Sequence, residues 1–152
     1  MFRSVNHHSL IGSGFVAWAI CLFLSGCGGS EPGLVKVSGK ITLDGGAFPK
    51  EGLINFTASG GLDQPLRPGS AKFGPDGAFT AMSFDPGDGL YPGTYKLSVD
   101  CLDAPPTIGN DGRMIGGKSL IPAKFQNPET SGLTLTVPAE GLKNATIDLK
   151  TK

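Results

Sequence analysis

The chain has 152 residues, with 13 basic and 13 acidic side chains, so its formal net charge at pH 7 is zero. That balance gives no electrostatic case for nucleic acid or for acidic lipid. Glycine (24) and proline (12) together make about 24% of the residues, just under the level at which disorder becomes the default, but short apolar runs alternating between the Gly/Pro clusters argue for a folded all-β chain.

The first nine residues carry Arg3, His7 and His8, and an apolar run follows from Leu10 to Leu24. A positive start, an apolar middle and small residues at the cut make a secretory signal. The run is interrupted by Gly12, Ser13 and Gly14 and falls short of the roughly 20 apolar residues of a membrane span; an uncleaved N-terminal helix is the weaker alternative. The letters Gly12-Ser13-Gly14-Phe15-Val16-Ala17 match a dinucleotide fingerprint, but no strand precedes them and no βαβ unit surrounds them, so the match is accidental. Leu24-Ser25-Gly26-Cys27 resembles the lipobox of bacterial lipoproteins. The resemblance implies cleavage between Gly26 and Cys27, a diacylglycerol on the Cys27 sulfur, and the membrane as a partner. One acyl chain holds marginally, while two or three hold firmly. Gly28, where inner-membrane retention commonly uses Asp, leans towards the outer membrane. The implied organisation is a signal peptide over 1–26, a tether over 27–33 and one domain over 34–152. The tether segment Gly28 to Gly33 reaches at most about 20 Å.

Cleavage there has chemical consequences. Removing residues 1–26 from 152 leaves 126, enough for one domain with a real core. His7, His8, Trp18 and Cys21 leave with the signal, and Cys27 is consumed by lipid. Cys101 is then the single thiol, no intrachain disulfide can form, and His-based catalysis and His- or Cys-rich metal sites are excluded. No cofactor is expected.

Seven runs in the remainder read as strands. Val35 to Leu43 places Val35, Val37, Ile41 and Leu43 on one face, and Asp44-Gly45-Gly46 turns the chain. Leu53 to Ala58 places Ile54, Phe56 and Ala58 together, before a polar loop from Ser59 to Gly69. Ser70 to Phe73 is short, and Gly74-Pro75-Asp76-Gly77 suits a type I turn. Ala78 to Phe84 alternates, then a Gly/Pro loop follows from Asp85 to Gly93. Tyr95 to Cys101 is the cleanest, with Tyr95, Leu97, Val99 and Cys101 inward. Asp103 to Ser119 has no usable period and reads as a long loop, of the kind that is often functional or mobile. Leu120 to Ser131 is expected to wrap back and plug an edge with Phe125. Leu133 to Val137 and Asn144 to Leu149, around Gly141, are expected to pair as a hairpin. The pattern predicts a seven-stranded antiparallel β-sandwich of immunoglobulin-like size, without the Cys…Trp…Cys core of antibody domains.

Val37-Ser38-Gly39-Lys40-Ile41-Thr42-Leu43-Asp44-Gly45, Phe73-Gly74-Pro75-Asp76-Gly77-Ala78-Phe79 and Leu90-Tyr91-Pro92-Gly93-Thr94-Tyr95-Lys96-Leu97-Ser98-Val99 resemble the opening strand, central turn and "PG-x-Y" strand of carboxypeptidase regulatory-like domains. Ile121-Pro122-Ala123-Lys124-Phe125 and Thr130-Ser131-Gly132-Leu133 resemble the closing segment of small lipoproteins of that type. The resemblance implies a transthyretin-like sandwich and no catalytic motif.

The remaining candidates each have a bland reading. Cys101 on an inward face is a core residue rather than a nucleophile. Asp76, Asp85 and Asp88 could supply oxygen ligands for Ca²⁺, but Asp is also a turn residue. No acid pair across a cleft is indicated for glycoside hydrolysis. Tyr91 and Phe48 could stack on a glycan, with corner packing the stronger expectation for Tyr91. Asn55-Phe56-Thr57 and Asn144-Ala145-Thr146 match a glycosylation pattern that a bacterial lipobox makes irrelevant. The expected function is a non-enzymatic structural or interaction module of the cell envelope, meeting an envelope protein partner through sheet edges or the Asp103–Ser119 loop. The alternative is a glycan- or calcium-binding envelope domain.

Overall fold

A computed structural model describes residues 33–60 and 67–152. The expected signal and the expected cleavage site between Gly26 and Cys27 lie outside the described residues. Among the described residues nine strands form: β1 Val37–Leu43, β2 Gly52–Gly60, β3 Gly69–Phe73, β4 Ala78–Thr80, β5 Gly93–Asp100, β6 Thr107–Ile108, β7 Met114–Ile115, β8 Thr134–Val137 and β9 Leu142–Leu149. A single 3₁₀ turn, Ala123–Gln126, is the only helical element among the described residues. The chain is all-β, and the seven expected runs are β1–β5, β8 and β9.

These seven strands make one sheet, in the order β8-β5-β2-β3-β4-β1-β9. All neighbours are antiparallel except β1 and β9, which run parallel. The expected all-antiparallel arrangement is therefore corrected to a mixed sheet, and the expected β8–β9 hairpin does not form. The chain path gives the reason. β8 pairs with β5 at one edge of the sheet, with Val137 opposite Gly93. Only residues 138–141 then separate it from β9, which pairs with β1 at the other edge. Five peptide steps reach at most about 18 Å, so the two edges must lie that close at this end. The sheet is thus rolled nearly into a barrel, and the short turn crosses the gap between its edges instead of closing a hairpin.

The rolled sheet encloses one core. Val37, Ile41, Ile54, Phe56, Tyr95, Leu97, Val99 and Leu149 are fully buried, and residues from both halves of the sheet share the cluster. Period two places Tyr95, Leu97, Val99 and Cys101 inward, as the alternation requires. Phe56 meets Tyr95 edge-on at 6.2 Å between centroids and Phe79 at 6.4 Å, offset geometries that aromatic quadrupoles favour. Ser98, on the opposite face of β5, is buried too, because the 3₁₀ turn lies against β5. Phe125 and Ile121 are buried there, and the Ser131 hydroxyl donates to the Leu97 carbonyl at 2.6 Å. The wrap of Leu120–Ser131 over the domain follows the sequence expectation.

Gly39 is required by close approach. A Cβ built on it would lie 2.1 Å from the Ala145 carbonyl oxygen of β9. Next to that contact β9 carries one extra residue against β1, with Asn144 at φ 61°. Such a bulge kinks an edge strand and blunts it against unwanted pairing.

Register gives the domain two distinct ends. The chain enters at Val35, which exchanges two backbone hydrogen bonds with Leu90 (2.9 and 3.1 Å). Leu90–Gly93 and residues 138–141 share that end. At the other end lie Asp100, Gly52, Phe73, the Gly74–Gly77 turn and Leu43. β5 alone, at about 3.3 Å per residue, separates the two ends by roughly 26 Å.

Candidate interaction site

The most prominent feature of the far end is a ribbon that leaves β5. Leu102 bridges Ser119, the Leu120 amide donates to the Cys101 carbonyl at 2.8 Å, and the Asp103 amide donates to the Lys118 carbonyl at 2.9 Å. The Asp103 carboxylate accepts the Lys118 amide at 2.7 Å. Beyond this root, β6 and β7 pair, with Thr107 opposite Ile115 and Ile108 opposite Met114. Gly109 and Arg113 close the tip, with the Gly109 amide on the Arg113 carbonyl at 2.7 Å. The segment expected to be an irregular loop is thus a two-stranded arm. Its signal was present in the β-formers Thr107-Ile108 and the apolar pair Met114-Ile115 on either side of the turn residues Gly109-Asn110-Asp111-Gly112 and Arg113.

The arm lacks a core of its own. Ile108 is 76% exposed and Ile115 59%. Covering what remains exposed of each would release about 1–2 kcal/mol. Together with Phe84, these are the large apolar side chains left exposed among the described residues.

A cleft of about 730 Å³ lies where the arm meets the sheet. Leu53, Phe73, Leu102 and the Pro105-Pro106 pair line it, with Lys50, Glu51, Lys72 and Asp103 also on its walls. The Lys50 ammonium donates to the Asp103 carbonyl, tying the start of β2 to the arm root. An apolar floor with a few mixed charges suits a peptide or side chain better than a phosphate or a nucleic acid.

The other candidate residues fall elsewhere. Cys101 is fully buried, its sulfur 3.6 Å from the Lys50 carbonyl. Burial pushes its thiol up from the usual value, which makes it a poor nucleophile. Phe48 lies in the loop between β1 and β2, but it is 3% exposed, with its ring 4.6 Å from that of Phe73, so it has no free face to stack on a glycan. Asn55 donates to the Asp100 carboxylate at 3.2 Å.

The three aspartates are not brought together as a cation site. Asp76 accepts the Ala78 amide at 3.2 Å within its turn. Asp88 is the centre of the Ser83–Gly89 loop. One of its oxygens accepts the Ser83 amide at 2.7 Å, the other the Phe84 and Asp85 amides at 2.8 and 3.0 Å. Burial pushes this carboxyl up, but the bonds from the Asp85, Ser83, Phe84 and Gly89 amides outweigh it and hold the group below the usual carboxylate range. No group of three or more His, Cys, Asp or Glu is placed to hold a metal ion among the described residues.

The corner role belongs to Tyr95 rather than Tyr91. The buried Tyr95 hydroxyl donates to the Tyr91 carbonyl at 2.9 Å, four residues upstream, the bond that defines a tyrosine corner. Tyr91 is half-buried, and a Cβ on Gly33 would lie 3.2 Å from its ring. Tyr91 therefore covers Gly33, where the described chain leads into β1.

Comparison with family models, with curated proteins and with solved structures finds no match to this chain.

Proposed function

We propose that this chain is a bacterial envelope lipoprotein: a non-catalytic interaction module, held to a membrane by lipid on Cys27, that meets a partner protein through the arm of residues 103–119. The observation that carries the interaction reading is the arm itself. The ribbon holds Ile108 and Ile115 out in solvent beside an apolar cleft, the kind of exposed apolar surface that marks a protein contact. The anchor reading rests on Leu24-Ser25-Gly26-Cys27 after an apolar run, and Gly28 favours the outer membrane. A transthyretin-like sandwich of the carboxypeptidase regulatory-like kind is the family reading. It is supported by the Gly74–Gly77 turn, closed at 2.8 Å, and by the strand Gly93–Asp100, which match the turn and the strand the resemblance implies. A glycan- or calcium-binding role has less support, because the Asp88 oxygens already accept amides and Phe48 is buried.

The test is capture of partners from detergent-solubilised envelope by the full chain and by an Ile108→Glu/Ile115→Glu variant. A specific protein retained by the first and lost by the second is the expected result. Capture of no specific protein, or equal capture by both, contradicts the reading.

A further inference from the structure

We propose that the end of the domain at which the chain enters seats on the lipid headgroup layer of the membrane that carries the anchor, through Phe84 and Arg67, so that the arm is held out on the opposite side. The inference rests on the anchor reading of Cys27 and adds an orientation and a contact surface to it.

Three observations carry it. The first is where the tether arrives. Only six residue steps separate Cys27 from Gly33, which limits the reach to about 20 Å. Gly33 lies against Tyr91, and Val35 is bonded on both sides to Leu90. A Cβ on Gly89 would lie 2.0 Å from the Val35 oxygen, so the loop is pressed directly onto the incoming chain. This end of the sheet therefore stays within about 20 Å of the bilayer, while an inverted domain would need a tether at least as long as the roughly 26 Å sheet.

The second is what that end exposes. Phe84 follows β4 past the Ser70–Met82 bridge, and Arg67 precedes β3, both on the side from which Val35 arrives. Phe84 is 44% exposed, and the Arg67 guanidinium lies 4.0 Å from its ring centroid. An aromatic face under a cation is suited to the headgroup boundary, where the ring meets acyl carbon and the guanidinium meets phosphate oxygen. Lys36 is exposed at the same end and donates to the Gly87 carbonyl at 2.6 Å. Asp85 is exposed beside Phe84 and offsets part of this positive charge, so contact with the ring, rather than anionic lipid, dominates.

The third is rigidity. The loop bearing Phe84 is held by the Asp88 carboxylate, which accepts the Phe84 amide itself at 2.8 Å. The ring is thus presented on a fixed backbone joined to the tether clamp.

The test uses the full chain, purified as the lipidated protein and returned to vesicles of phosphatidylethanolamine and phosphatidylglycerol. Trp18 leaves with the signal, so Phe84→Trp gives a single tryptophan, and Ile108→Trp gives the matching reporter on the arm. Arg67→Trp is a second reporter at the lipid-facing end, should Phe84→Trp fail to fold. Brominated lipids are expected to quench Phe84→Trp, and Arg67→Trp, at least twofold, and to leave Ile108→Trp unchanged. No quenching of either near-end reporter overturns the inference, as does equal quenching of Ile108→Trp, which would mean that the domain lies flat. Intact mass of the same sample separates the two ideas. Lipid on Cys27 without quenching defeats the orientation alone, while absence of that lipid defeats the anchor reading.

Discussion

Tyr95→Phe removes one oxygen from the centre of the corner and changes little else. The hydroxyl is buried and donates to the Tyr91 carbonyl at 2.9 Å. A neutral hydrogen bond contributes about 1 kcal/mol net, and leaving a shielded carbonyl without its donor adds more. Because Tyr91 is half-buried, water reaches part of that carbonyl, and a total of about 1.5–2 kcal/mol is expected. For a domain of this size the loss lowers Tm by roughly 5–8 °C. The assay is urea unfolding of the purified full chain followed by far-ultraviolet circular dichroism, with the midpoint falling and the m-value unchanged. Tyr91→Phe is the comparison, and a change within about 0.5 kcal/mol is expected, because its ring, not its hydroxyl, covers Gly33. Equal losses from the two substitutions, or none from Tyr95→Phe, would refute the assignment of the corner to Tyr95.

Three further outcomes are expected. The Asp88 carboxyl is held below its ordinary value of 3.8, so its contribution to stability is present above that value and is lost as pH falls through the folded-state pKa. Asp88→Asn should therefore flatten part of the acid limb of a stability–pH curve, while Asp44 and Asp148, also lowered by their hydrogen bonds to Thr151 and to Gly45, keep the remainder; an unaltered limb would contradict the staple role. Gly39→Ala forces a Cβ to within 2.1 Å of the Ala145 oxygen and should cost about 2–3 kcal/mol by chemical denaturation, against almost nothing if β9 does not lie where described. Brief trypsin treatment should cut first after Arg113 at the exposed arm tip, and mass mapping of the fragments checks it. Earlier cleavage after Lys72 or Lys96, which lie on sheet strands, would contradict the exposed arm.

The strands were legible because period two and turn chemistry are local. Tyr95, Leu97, Val99 and Cys101 show the alternation directly, and Gly74-Pro75-Asp76-Gly77 names its own turn. Pairing is not local. Nothing in Leu133–Val137 says that it seeks β5, nor in Ala145–Leu149 that it seeks β1, and the parallel β1–β9 match emerges only once the sheet has rolled. Seven alternating runs fit a rolled mixed sheet as well as an antiparallel one, so the sequence could not decide between them. The spacing Leu90-x-Pro92-Gly93-x-Tyr95 puts the reaching hydroxyl on Tyr95, while Tyr91, beside Pro92, packs its ring on Gly33. The amides that occupy the Asp88 carboxylate gather around it only when the loop closes, and no local pattern in Ser83–Gly89 announces them. The strands of the arm are two residues each, too short for any period to show.

The proposed anchor makes Cys27 the first residue of the mature protein and the bearer of its lipid. Intact-mass analysis of the protein purified from bacterial membranes tests this most directly. A chain that begins at Cys27, with residues 1–26 gone and the added mass of a diacylglyceryl group on that cysteine, is the expected result, with precursor accumulating in Cys27→Ser. A chain that retains Met1, or one cut elsewhere and free of lipid, would contradict it.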